Sequence, residues 1–130
     1  MTATLITAGL LGLLLLFLSG YVIAGRLKFK IGLGDGGNDQ MRQRMRTQAN
    51  FIEYVPLALI LLFLVESASI GPAWLPGALG GTLVVARLWH AQGLLSSSGT
   101  SPGRFAGTNL TALVILIGAL AALGRGLTLW

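Results

Sequence analysis

The chain contains no cysteine, and only 10% of its 130 residues are charged. The missing thiols exclude a disulfide, a cysteine nucleophile and a cysteine metal site. A single histidine does not make a metal-ligand set either, so we predict no metal. A soluble domain would carry about a quarter charged residues, and this chain therefore cannot cover itself with polar surface.

Acidic residues are also scarce, with four Asp and Glu against nine Lys and Arg, which leaves a net charge of +5. Such a charge could suggest nucleic acid, but the positions of the basic residues argue against that partner. They flank the first connecting segment, which holds only Asp35 and Asp39 in return, and this is the positive-inside pattern of a membrane protein. The flanking residues are Arg26, Lys28, Lys30, Arg42, Arg44 and Arg46.

What the chain does have is apolar sequence, since 54% of its residues are hydrophobic and its mean hydropathy is +0.79. No segment alternates in polarity as a membrane barrel would require, so the spans are helical. A chain of this length holds about four spanning helices of ~20 residues each. We predict an all-α polytopic membrane protein, a four-transmembrane-helix bundle that forms a single domain over residues 1–130. The predicted helices cover residues 4–25, 40–69, 75–95 and 104–123.

The second helix carries polar residues where it enters the membrane. Asn50 and Glu53 precede a wholly apolar run over residues 57–65. At 100° per residue they share an arc of roughly 80° with Arg42 and Arg46. A carboxylate there costs on the order of several kcal/mol unless it faces protein or water and finds a partner. This face is therefore the first candidate for a functional site.

The third helix carries Arg87 and His90, which are three residues apart and share a face. The second helix enters from the cytoplasm and the third returns to it, so both polar sets lie in the cytoplasmic half. We expect them to meet there. As an alternative, Arg87 and Glu53 form a buried ion pair that fixes helix packing, and His90 packs through hydrogen bonds. Glu66, near the outer end of the second helix, is expected to reach water.

Three segments stand in order along the second, third and fourth helices: Arg46-x-x-x-Asn50-x-x-Glu53-Tyr54-x-Pro56, residues 86–93 (Ala-Arg-Leu-Trp-His-Ala-Gln-Gly) and residues 104–111 (Arg-Phe-Ala-Gly-Thr-Asn-Leu-Thr). Together they resemble the MAPEG family, the membrane-associated proteins of eicosanoid and glutathione metabolism. Helix number, length and the basic first loop agree, so the resemblance covers nearly the whole chain.

The resemblance implies a homotrimer with glutathione held between neighbouring subunits near the cytoplasmic face. It also implies that Arg104 is the catalytic arginine that activates the thiol, although a plain positive-inside charge remains the alternative. Leu94 departs from the pattern, because a tyrosine there would help to bind glutathione. The positions that match glutathione-binding residues are Arg46, Gln48, Asn50, Glu53, Tyr54, Arg87 and His90.

The implied function is a glutathione-dependent transferase or peroxidase that joins the glutathione thiolate to lipophilic electrophiles, a detoxification activity. The residue chemistry agrees with it. Arg46 offers a planar fork for a carboxylate, Glu53 offers a partner for the ammonium, and Arg104 would lower the pKa of a thiol that is ~8.5 when free. The co-substrate is glutathione, and the other partners are a hydrophobic electrophile and the lipid bilayer.

Two other functions stay open. One is a small proton-coupled multidrug exporter, but such exporters place a glutamate within the first helix, where this chain has no charge from Met1 to Gly25. The other is a catalytically silent scaffold of the same family. The expected location is a bacterial inner membrane, with loops 26–46 and 96–104 cytoplasmic, both termini outside, and Arg125 and Trp130 as interfacial anchors.

Overall fold

The computed structural model describes residues 1–97, 99 and 101–129 of the chain. It confirms an all-α fold with four helices, and no strand occurs among the described residues. The predicted anchor Trp130 and positions 98 and 100 of the second loop lie outside the described residues. The helices are α1 (Thr2–Phe29), α2 (Asp39–Ser67), α3 (Leu75–Ser96) and α4 (Pro102–Gly126).

Side-chain caps set where two of these helices begin. The Asn38 side chain accepts a hydrogen bond from the Met41 amide at 2.9 Å, so α2 begins directly after it. Ser101 caps α4 in the same way, and Pro102 suits a first helical position because it needs no amide partner there. The proline places the start of α4 two residues ahead of the predicted one. α1 runs past its predicted end at residue 25 and stops at Lys30, which adopts a left-handed φ of 56°.

α1, α2 and α4 are long and apolar enough to cross a membrane. α3 has 22 residues but does not meet that composition, because Arg87, His90 and Gln92 lower its hydropathy. Within the described part of the chain, α3 contacts each of the other helices, whereas α1 and α4 do not touch. Two polar side chains of α3, Arg87 and His90, are buried against its neighbours, whereas Gln92 is exposed.

α3 and α4 approach each other closely through small residues on α4. A Cβ built on Gly103 would lie 2.8 Å from the Trp89 carbonyl oxygen, and one on Gly107 would lie 2.6 Å from that of Ala86. The four-residue spacing puts both glycines on one face, which lets the two backbones come together. This contact places the start of α4, and with it Arg104, beside the polar face of α3.

Glu66 does not simply reach water, as the sequence led us to expect. Its carboxylate accepts hydrogen bonds from the Ala3 amide at 2.9 Å and from the Thr4 amide and hydroxyl at 2.7 and 2.6 Å. The first amides of a helix lack intrahelical acceptors, and a negative charge is favourable at this end. Glu66 therefore caps α1 from the end of α2, with its side chain only 12% exposed.

Candidate functional site

Arg87 is the centre of the polar region between α2, α3 and α4. It is the largest fully buried side chain among the described residues, with 1% of its surface exposed. Its Nη2 donates to Asn50 Oδ1 at 2.8 Å, and its guanidinium carbon lies 5.7 Å from the centre of the Phe51 ring. The polar faces of α2 and α3 therefore meet at this point.

The contacts of Arg87 also orient its neighbours. A guanidinium carries only donors, so Asn50 must offer its oxygen, and the amide nitrogen Nδ2 remains as a donor. Arg87 Nη2 also lies 3.4 Å from His90 Nδ1, which then acts as the acceptor and leaves the proton on Nε2. Both neighbours thus keep N–H groups to offer to a ligand.

Two cavities open beside these groups at the end of the bundle that carries the basic loop. Their volumes are about 290 and 440 Å³, and Asn50, His90 and Arg104 line both. The first is further lined by Asp39, Arg42, Gln43, Arg46 and Leu94. The second is further lined by Ser101, Phe105, Thr108 and Asn109.

Arg104 lies in the first turn of α4, where the helix dipole adds to its positive charge. Its Nη1 donates to the backbone oxygen of Gly99 at 2.5 Å. No carboxylate of the described residues comes within 4.0 Å of its guanidinium. Arg104 lines both of the cavities described above. It is therefore a cation whose charge the chain leaves available.

The other arginines at the mouth have acidic partners. Arg42 Nε lies 2.7 Å from Asp35 Oδ2, and its Nη1 lies 3.0 Å from Asp39 Oδ1. The hydrogen bond from Arg42 holds the pKa of Asp35 below its usual 3.8. Arg46 Nη1 lies 3.7 Å from Glu53 Oε1, and these side chains are 60% and 50% exposed. The intrachain pair of Glu53 is therefore with Arg46, not with Arg87.

The predicted binding residues do not all face the same space. Arg46, Asn50, His90 and Arg104 line the first cavity, whereas Tyr54 and Arg87 line a smaller one of about 100 Å³. Gln48 points to α1, where its Nε2 donates to Ser19 Oγ at 2.7 Å. Glu53 lies on the outer surface of α2, beside the mouth. The glutathione contacts assigned to all of these residues stay predictions.

Sequence reasoning missed most of the α4 wall. Ser101, Phe105, Thr108 and Asn109 recur at the three- to four-residue spacing that puts them on the side of Arg104. Polar or aromatic residues at this helical spacing around Arg104 were the sequence signal that could have predicted this wall. Within the described residues, no group of three or more His, Asp or Glu side chains could hold a metal ion.

The sequence profile of the MAPEG family matches residues 4–124. The chain belongs to the MAPEG family. Its similar relatives include the inner membrane protein YecN of Escherichia coli K12, which is 31% identical over 86 residues, or 66% of this chain. YecN of Escherichia coli O6:H1 (strain CFT073) aligns with the same identity and length. The chain spans 65% of the length of these relatives.

This MAPEG chain is an integral membrane protein, as predicted, and the relatives that it matches are inner membrane proteins. The predicted cytoplasmic side of the two loops and the outer side of the termini stay predictions. Its three long apolar helices carry the membrane-spanning composition, and the polar cavities open beside α3. Large apolar side chains such as Leu13, Leu16 and Phe17 of α1 lie exposed on the outer surface, where a bilayer is the fitting solvent.

Proposed function

We propose that this chain is a glutathione-dependent transferase or peroxidase that conjugates the glutathione thiolate to lipophilic electrophiles. The observation that carries the proposal is the shared wall of the two cavities. This wall contains Arg104, which has no carboxylate partner among the described residues. It also contains Asn50 and His90, whose Nδ2 and Nε2 nitrogens can still donate hydrogen bonds. A wall of donors suits an anion, and the reactive form of glutathione is a thiolate.

The mouth of the first cavity suits the charged ends of the tripeptide. Arg46 and Glu53 are more than half and about half exposed, and their 3.7 Å separation is a loose contact. A ligand carboxylate can bind the guanidinium of Arg46, and a ligand ammonium can bind the carboxylate of Glu53. Since the exposed pair contributes little to stability, exchanging it for ligand contacts costs little.

The thiol would lie at the shared wall, near Arg104. A free thiol has a pKa of ~8.5 and is mostly protonated at neutral pH, and a nearby guanidinium favours the thiolate. The thiol proton leaves to water. The sulfur then forms a bond to the electrophilic carbon, and with an aryl chloride the chloride leaves with the electron pair of the broken carbon–chlorine bond.

The electrophile would reach the sulfur from the lipid side. The 440 Å³ cavity includes Phe105, which is 76% exposed, and Thr108 on the outer face of α4. Tyr54 of α2, which is 39% exposed, lines a smaller cavity together with Thr108 and extends this surface to α2. We include in the proposal a homotrimer in which a second copy covers this surface and closes the site.

Calorimetric titration of glutathione into the detergent-solubilised protein, with an aryl chloride conjugation assay, tests the proposal. We expect saturable binding and conjugation that depends on protein concentration. Size-exclusion chromatography with light scattering reports whether the protein is a trimer. No heat at millimolar glutathione and no conjugation above the buffer rate would exclude the proposed function.

A catalytically silent member of the family is the second candidate. It is favoured by Leu94, which lines the first cavity, is 7% exposed and offers no hydrogen bond to a ligand. The titration separates the candidates, because a silent scaffold binds no glutathione or binds it without conjugating the aryl chloride.

A further inference from the structure

A further polar cavity lies where α2 packs against α1 at the basic end of the bundle. Its volume is about 270 Å³, and it is lined by Tyr21, Gln40, Gln43, Arg44 and Leu95. Gln43 also borders the 290 Å³ cavity, but Arg44 lies about 200° around α2 from Arg46 and faces α1. This cavity is therefore distinct from the proposed glutathione site.

Arg44 joins the two helices and still keeps donors for a ligand. Its Nη1 donates to the Tyr21 carbonyl at 2.8 Å, and its guanidinium carbon lies 3.8 Å from the centre of the Tyr21 ring. Gly25 leaves room for it, because a Cβ there would lie 2.8 Å from Arg44 Cδ. The Nε and Nη2 groups of Arg44 have no acceptor among the described residues, and they are not enclosed as the unpaired Nε of Arg87 is.

Positive charge accumulates at this cavity without a counter-charge. Among the described residues, no carboxylate lines it and none lies within 4.0 Å of Arg44. Lys28 Nζ lies 5.3 Å from the centre of the Phe29 ring, and the guanidinium carbon of Arg44 lies 5.7 Å from the same centre. Two cations that share one ring repel each other, and an anion bound beside them offsets that repulsion.

The register of α1 against α2 puts the cavity at the depth of lipid headgroups. Glu66 fixes the outer end of α1 through the amide and hydroxyl of Thr4. From Thr4 to Gly25 the helix rises about 32 Å, which matches the ~30 Å of a hydrocarbon core. Tyr21 lies about 6 Å inside the basic end of that span, and a long basic side chain such as Arg44 reaches the headgroups from there.

An apolar stripe continues along α1 from the cavity towards the outer end. The ring of Phe17 stacks with that of Tyr21, and their centres are 6.1 Å apart. Leu10, Leu13 and Phe17 follow one another at three- and four-residue spacing, and all three are exposed. The acyl chains of a lipid can pack on this stripe, whereas a free phosphate ion gains nothing from it.

We propose that this cavity binds the phosphate group of one anionic phospholipid, whose acyl chains pack along α1. Arg44 donates to the phosphate oxygens, and Lys28 adds a second positive charge. The amides of Gln40 and Gln43 hydrogen-bond the polar part of the headgroup. A zwitterionic headgroup suits the cavity less, because its ammonium would lie close to two cations.

Native mass spectrometry of the full chain in detergent tests this preference. The probes are equal amounts of phosphatidylglycerol and phosphatidylcholine with the same acyl chains. We expect the chain to retain one phosphatidylglycerol in preference to phosphatidylcholine. Lys28→Gln and Arg44→Gln should each reduce this preference about fivefold, the effect of one basic residue near an anionic lipid. Lys28 is exposed, so its variant keeps the test independent of the contact that Arg44 makes with α1.

Lys30→Gln is the matched control. It removes the same charge two residues beyond Lys28, from a side chain that neither lines the cavity nor lies over an aromatic ring of the described residues. The lipid preference of this variant should equal that of the unmodified chain. No preference in the unmodified chain, or an equal loss in all three variants, would overturn the proposal, because an equal loss indicates general attraction to the basic end.

Crystals of the unmodified chain, grown with phosphatidylglycerol that carries brominated acyl chains, give a readout that does not require any variant to fold. We expect a headgroup phosphate within about 3.5 Å of the Arg44 guanidinium, and bromine anomalous peaks beside Phe17 and Leu13. Lipid density without a phosphate at Arg44 would overturn the proposal.

A last arm separates the lipid from free phosphate. Inorganic phosphate at millimolar concentration should leave the phosphatidylglycerol bound, because it lacks the contacts of the acyl chains with α1. Displacement of the lipid by inorganic phosphate would identify a free-phosphate site instead and would overturn the proposal. None of these measurements contains glutathione, so they remain decisive even if the proposed transferase function fails.

Discussion

At the outer end of α2, Glu66 accepts three hydrogen bonds of 2.6 to 2.9 Å from the first turn of α1, and its side chain is 12% exposed. Nearer the basic end of the same helix, Glu53 is half exposed, and its ion-pair partner among the described residues is Arg46, at 3.7 Å. The residue type is the same, but one carboxylate is committed to the fold and the other is available to a ligand.

The arginines divide in the same way. Arg44 donates to the Tyr21 carbonyl at 2.8 Å and stacks on the ring of Tyr21 at 3.8 Å, so it joins α2 to α1. Arg104 and Arg87, on the cavity side, have no carboxylate partner among the described residues. A charge that its own chain leaves uncompensated marks the side of the bundle where a ligand is expected.

The largest effect is expected at Arg104. Arg104→Gln removes the uncompensated charge while keeping a hydrogen-bonding side chain, and kcat for aryl chloride conjugation should fall about 100-fold, as for the loss of one preorganised donor. The pH at which the rate rises should also move upwards, because the thiol loses its cation. Stopped-flow or steady-state rates across pH measure both.

Arg125→Gln is the control for this variant, since Arg125 lies at the opposite end of α4. It should leave kcat and the pH profile unchanged. An unaltered pH profile in Arg104→Gln would contradict thiol activation by this residue and would leave it a topological charge.

At Glu53 we expect a smaller effect, confined to binding. Glu53→Gln should weaken glutathione about tenfold, the loss of one charge-assisted hydrogen bond to the ligand ammonium. Tm should not change, because the exposed pair with Arg46 contributes little. Calorimetry and a thermal melt on the same sample measure the two quantities. If Tm fell and the affinity for glutathione did not change, Glu53 would stabilise the fold rather than bind the ligand.

Glu66→Gln should give the reverse result. The amide keeps one acceptor but loses the charge, so the cap on Ala3 and Thr4 weakens, and Tm should fall by roughly 5 °C, a shift typical of losing one such contact in a small domain. Glutathione affinity should stay as in the unmodified chain. If affinity fell as well, the two ends of α2 would be coupled, and the contrast with Glu53 would not hold.

The smallest effect is expected in the first loop. Because Arg42 lowers the pKa of Asp35 in the folded chain, the pair contributes above the ordinary pKa of 3.8 and is lost as pH falls through the lowered value. Hydrogen exchange at the Gly37 amide, which donates to Asp35 Oδ1, should therefore lose protection in acid only. Asp35→Asn should show reduced protection at every pH, and equal protection in both proteins would contradict the pairing.

Much of the site could be predicted because it follows helical spacing. Asn50 lies one turn after Arg46, and His90 lies three residues after Arg87, so each pair had to share a face. Their meeting across α2 and α3 followed from the opposite directions of the two helices. Gln48 belongs to the same matched segment, but it points to Ser19 of α1, because two residues of helix rotate a side chain by about 200°.

The partners of the charged residues could not be predicted in the same way. Spacing does not say whether Glu53 reaches Arg87 or Arg46, since both lie within range of a flexible side chain. It also does not show that Glu66 meets the first turn of α1, a contact across more than sixty residues. The α4 wall depends on the close approach at Gly107, where backbone touches backbone and small positional differences decide what faces the cavity.

Composition and period were enough to predict a helical membrane protein with a basic end and a polar face on α2 and α3, whereas the resemblance to the MAPEG family depended on three sequence motifs in order. Those properties are local, because they depend on transfer from water to lipid and on the pitch of a single helix. The allocation of the charges depends on distances between helices. The packing of α2 against α1 committed Glu66 and Arg44 to structure, whereas Arg104, beside α3, lines two cavities without a carboxylate partner among the described residues.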